Sequence, residues 1–67
     1  MVNFSINVKI IKNYMTNHNL NEEAFAKKCN IDINVIKKIL KNQDVALIYM
    51  VKISRITGIN YEELFIY

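Results

Sequence analysis

Between Leu20 and Asn42 the chain reads LNEEAFAKKCNIDINVIKKILKN, two short amphipathic patterns with only Cys29-Asn30-Ile31-Asp32 at their junction. Each pattern has the helical period. Phe25, Ala26 and Cys29 share one face of the first, and Ile36, Ile39 and Leu40 share one face of the second. So short a junction makes the two helices cross at a large angle, the helix-turn-helix arrangement, which leaves the outer face of the second helix free. That outer face carries Asn34, Lys37, Lys38 and Lys41, so the second helix is cleanly two-faced.

Charge is concentrated in the same place. From Lys27 to Lys41 there are five lysines (Lys27, Lys28, Lys37, Lys38 and Lys41) and one acid, Asp32, so more than half of the nine basic residues occupy fifteen of 67 positions. The net charge of +3 is mild by itself. Its distribution points to a polyanion, and a duplex with its closely spaced phosphates suits a basic helix presented this way. The acids instead fall in pairs, Glu22-Glu23 and Glu62-Glu63, each in the first turn of an expected helix where carboxylates favour the positive end of the dipole.

At 67 residues the chain has room for one domain, 1–67, which would bury roughly 60% of its unfolded surface. A hydrophobic share of 52% with 22% charged residues is that of a globular protein. The longest apolar run, Val45 to Val51, is far short of the ~20 residues that span a bilayer. Met1 to Lys9 lacks the basic start and apolar block of a signal peptide, so the expectation is a cytoplasmic protein with no membrane partner. The lone Cys29 permits no internal disulfide and reads as a small buried hydrophobe.

Periodicity and capping residues predict an all-α, compact five-helix domain with no strand. Helix one is expected from about Ile6 to His18 with Ser5 as N-cap and Val8, Ile11 and Met15 inward. Helix two runs from about Glu22 to Cys29 behind Asn21, and helix three follows Asp32. Helix four is expected after Asp44 to about Thr57, burying Leu47, Met50, Ile53 and Ser54; helix five follows Asn60 and contributes Leu64 and Phe65. Asn19, Asn30, Asn42 and Gly58 stand where the first four helices should stop, and these are the residue types that adopt the left-handed conformation at least cost.

With these features in view, Leu20 to Phe65 resembles the lambda-repressor/Cro-like (XRE-type) helix-turn-helix DNA-binding family. The residues that carry the resemblance are Leu20, the cap Asn21, Glu22-Glu23, the apolar-Ala pair Phe25-Ala26, the turn Asn30-Ile31, Ile36, then Gly58-Ile59-Asn60 and Leu64-Phe65. With helix one added it covers about nine-tenths of the chain. It implies a sequence-specific transcriptional regulator that inserts helix three into a major groove, with the motif proper at about 21–41.

Three departures from the family pattern stand out. Glu22 stands where members often have a glutamine that holds a phosphate, and a carboxylate cannot donate that hydrogen bond. Met15 and Leu40 stand where members commonly pair a basic residue of helix one with a glutamate of helix three, an exchange of an ion pair for apolar groups. Ile33 occupies a base-facing position that is usually polar, where it can meet only a thymine methyl or another apolar surface.

The candidate DNA-binding residues are therefore Ile33, Asn34, Lys37, Lys38, Lys41 and Lys28. Asn34 is suited to an adenine edge and the lysines to phosphates. A homodimer is also expected, since Ile48, Tyr49, Tyr61, Ile66 and Tyr67 exceed what so small a core can cover, and contiguous apolar surface marks an interface. Chemistry is not expected. One His, one Cys and two serines, with no phosphate loop and no second ligand near His18, make neither a catalytic nor a metal site, and no cofactor or small-molecule ligand is implied. The rival reading is a helix-turn-helix body turned to protein interaction, antirepressor or antitoxin-like, which Glu22, Ile33 and the apolar excess around Val45 to Val51 favour and the lysine cluster disfavours.

Overall fold

A computed structural model describes residues 5–66 and is predominantly helical. Strand β1 (Ser5–Ile6) leads into α1 (Val8–Asn17), followed by α2 (Glu22–Cys29), α3 (Ile33–Leu40) and α4 (Leu47–Thr57). A 3-10 turn (Tyr61–Leu64) then delivers the chain into β2 (Phe65–Ile66), which lies antiparallel to β1 with Ser5 opposite Ile66 and Ile6 opposite Phe65.

Helix ends follow local side-chain chemistry. The Asn21 side chain accepts from Ala24 N at 2.8 Å and the Asp32 side chain from Asn34 N at 2.7 Å, so α2 and α3 begin on satisfied caps. At the other ends Asn19, Asn30 and Asn42 have φ of 55°, 55° and 59°, and Gly58 has 76°. The residue after each asparagine donates its N–H to the carbonyl five positions back: Leu20 to Met15, Ile31 to Ala26 and Gln43 to Lys38. This is the bond that closes a helix once one residue turns left-handed.

The three asparagines are not equivalent. Asn42 Oδ1 also accepts from Ile6 N at 2.9 Å, so the residue that ends α3 holds down β1. Asn30→Ala is expected to cost about 1 kcal/mol, because alanine lacks the short polar side chain that lets asparagine tolerate the left-handed region. Asn42→Ala should cost about 2 kcal/mol, because the half-buried Ile6 N–H loses its acceptor as well. Asn42→Gly should recover only the backbone share, and urea denaturation of the three variants measures the difference.

Four expectations are corrected. Helix one begins at Val8 and ends at Asn17, and its cap is Asn7, because Ser5 and Ile6 are extended in β1. Asn7 Oδ1 accepts from Ile10 N while its Nδ2 donates to Glu63 O and its backbone N–H donates to Leu64 O. Helix four begins at Leu47 behind Ala46, with no side-chain cap, since the backbone after Asn42 is committed to closing α3. Leu47 is therefore 50% exposed and not buried: side chains of a first turn lean past the helix end, where no earlier turn covers them. In place of a fifth helix there is the four-residue 3-10 turn, capped by Asn60, after which Phe65 is extended (φ −126°, ψ 150°) and pairs with Ile6, so strands are present.

The core is dry and continuous. Ile11, Phe25, Ile36, Ile39, Met50, Ile53 and Leu64 are fully buried, joined by Met15, Ala26, Cys29, Ile31, Ile6 and Phe65. No polar or charged side chain among the described residues is buried. Ser54, expected inside, is half-buried and donates its hydroxyl to Ile59 O at 2.7 Å, which ties down the turn after α4.

Candidate nucleic-acid interface

On α3 the fully buried Ile36 and Ile39 define the inner face, and at 100° per residue the opposite side falls on Asn34 and Lys41 with Lys37 and Lys38 to either flank. All four side chains are exposed. Asn34 spends its backbone N–H on the Asp32 cap, which leaves its amide free to donate and accept in one plane. The α3 lysines make no ion pair among the described residues, where Lys27 with Glu23 at 3.8 Å is the one pair present. That pair is exposed and contributes little to stability.

The sequence-expected residues do not all meet on this face. Asn34, Lys37, Lys38 and Lys41 share it, Lys41 being the C-cap of α3. Ile33 is half-buried and packs on the core, as does Val35, so Ile33 forms the wall beneath the polar stripe. Lys28 belongs to α2, exposed next to the buried Cys29. Burial pushes the Cys29 thiol up to about 11, against a weaker downward pull from the Lys28 charge, so the thiol stays protonated near neutral pH.

Where α2 meets α3 an open groove of about 550 Å³ is lined by Glu23, Ala26, Lys27, Asn30, Ile31, Asp32 and Ile33. Its two carboxylates are unfavourable neighbours for phosphate, which leaves the Lys37, Lys38 and Lys41 side of α3 as the favourable track for an anion. A smaller cleft of about 200 Å³ lies between β1 and the segment that follows α3, with Met50 and Phe65 among its lining residues. Neither cavity carries a one-dimensional signal, since each is assembled from segments that meet only in the fold.

The residues expected at a dimer interface divide. Ile48 and Ile66 are exposed, at 58% and 54%. Tyr49 and Tyr61 are half-buried against the chain's own core, Tyr61 with its ring edge-on to Phe65 at 5.1 Å. Tyr67 lies outside the described residues. Leu47 and Ile56, the latter 46% exposed, add apolar surface on α4 that the sequence did not single out.

His18 is exposed and its ring lies 4.1 Å from that of Tyr14. Among the described residues no group of His, Cys, Asp and Glu is placed to hold a metal ion, and no helix is long and apolar enough to cross a membrane. No protein-family model matches the chain, and no curated protein or solved structure matches it either.

Proposed function

We propose that the chain is a small sequence-specific DNA-binding regulator of transcription, with α2 and α3 acting as a helix-turn-helix and α3 entering a major groove. The observation that carries the reading is the outer face of α3: an amide in the first turn and three ammonium groups behind it that make no ion pair among the described residues, all exposed and backed by a buried apolar underside. In this reading Asn34 meets a base edge and Lys37, Lys38 and Lys41 meet the flanking phosphates, with Lys28 on α2 available to the same backbone.

Selection from a pool of random duplexes at low salt, followed by anisotropy titration on the enriched sequence, tests it. The enriched duplex should bind with an affinity that falls steeply with salt, in proportion to the phosphates contacted. Asn34→Ala should cost about 1 to 3 kcal/mol against the enriched sequence, concentrated at one base position, and leave binding to scrambled DNA nearly unchanged.

A second reading has its own support. Glu22, Glu23 and Asp32 place carboxylates at the starts of α2 and α3, where a duplex backbone would pass, and Ile33 offers no hydrogen bond. Absence of duplex binding at low salt would sink the first reading and leave the helix-turn-helix body as a protein-interaction module.

A further inference from the structure

The outward side of α4 is apolar and basic. Leu47 and Ile48 are each about half exposed, Val51 is half-buried beside them, and the helix carries Lys52 and Arg55 with no acid at all; Ile56, nine residues after Leu47, is exposed on the opposite flank. Lys52 is half-buried and reaches Asn30 O at 3.5 Å, toward the end of α2. Arg55 is exposed and has no partner among the described residues.

The segment after α4 carries the converse set. Glu62 and Glu63 are exposed on the 3-10 turn and make no ion pair among the described residues, and Ile66 is 54% exposed on β2. The 3-10 turn packs against α4, yet the two charge sets make no ion pair with each other among the described residues. One surface is apolar and positive, and its neighbour is apolar and negative.

We propose that these two surfaces pair between two copies of the chain about a two-fold axis, the α4 face of each copy on the 3-10 turn and β2 of the other. A two-fold interface is self-complementary, so both surfaces are used twice: Leu47 and Ile48 against Ile66 of the second copy, and Arg55 against Glu62 and Glu63 of the second copy. Pairing α4 with itself would set the Lys52 and Arg55 pairs of the two molecules together, and the repulsion disfavours it.

A standard interface takes about 800 Å² per partner, a little over half of it apolar, and the half-exposed Leu47, Ile48 and Ile66 supply only part of that, so the pairing is expected to be weak. The tyrosines do not belong to this interface, because Tyr49 and Tyr61 pack on their own core. The pairing concerns the protein free in solution and stands apart from duplex binding.

Sedimentation equilibrium of the whole chain without DNA tests it. A dimer is expected at micromolar to hundred-micromolar concentration, weakened about tenfold by Arg55→Glu and similarly by Glu62→Lys with Glu63→Lys. Combining the three reversals should restore association, since the charges then match in the opposite sense. Ile48→Asp with Ile66→Asp should give a monomer whose circular dichroism is unchanged, as both side chains are largely outside the core. A wild-type monomer at the highest concentration overturns the proposal. So does a dimer indifferent to Ile48→Asp with Ile66→Asp, or a combined charge reversal no tighter than its parents. Because no duplex is present, a failure here is separate from a failure of the DNA reading.

Discussion

Replacing Lys37 and Lys38 together by glutamate is expected to weaken duplex binding at least a hundredfold while leaving the fold intact. Both side chains are exposed and neither makes an ion pair among the described residues, so the folded protein loses no such pair when they change. Each lysine that neutralises a phosphate releases a counterion, so removing two should flatten the slope of log affinity against log salt by about 1.8. The reversed charges add repulsion. Titrations of wild type and variant at four or five salt concentrations give affinity and slope together. An unchanged slope would mean that these lysines face solvent in the complex, and that α3 does not track the backbone.

Met15→Arg is expected to destabilise the domain by about 3 to 5 kcal/mol, the cost of leaving a charge buried without a partner. Met15 is 7% exposed in a core that holds no polar or charged side chain among the described residues, so no existing acid can receive the guanidinium. For 67 residues total stability is on the order of 3 to 10 kcal/mol, so the variant should lose about a third or more of it. Leu40 is half-buried on α3, which packs on α1, so a carboxylate introduced there is expected to reach the guanidinium. Leu40→Glu alone should cost less, and the double variant should recover part of the Met15→Arg loss in urea denaturation. Strictly additive single effects would show that the two side chains do not meet.

What the sequence made legible is what short-range chemistry decides. Asn21 and Asp32 cap α2 and α3 through their own side chains, and Asn19, Asn30, Asn42 and Gly58 turn left-handed where the helices end. The inner and outer faces of α3 follow from a 3.6-residue period, so Asn34, Lys37, Lys38 and Lys41 could be grouped from the sequence. The strand pair could not be read this way. Two residues give no alternating pattern, and Ser5 meets Ile66 only across the whole fold. Asp44 looks like a helix cap by type, yet α4 starts three residues later. The apolar surplus was visible in composition, but its division between half-buried tyrosines and exposed Leu47, Ile48, Ile56 and Ile66 is decided by packing between elements.

The β1–β2 pair also sets an order of events during folding. Its two strands close a chain loop of about 60 residues, which costs roughly 3 to 4 kcal/mol of entropy before any bond across it is gained. The junctions between α1, α2 and α3 close over a few residues each, so the helices should assemble first and the ends should join last. By the same token the pair should open first. Amide protons of Asn7 and Ile66 are then expected to exchange through local fraying, well ahead of those in α2 and α3. Ile6 N donates to Asn42 Oδ1, so each such opening also releases the side chain of the residue that terminates α3, while the backbone bonds of Asn42 and Gln43 keep the helix end closed. One side-chain contact at the far end of the lysine-bearing helix thus lasts only as long as the strand pair does.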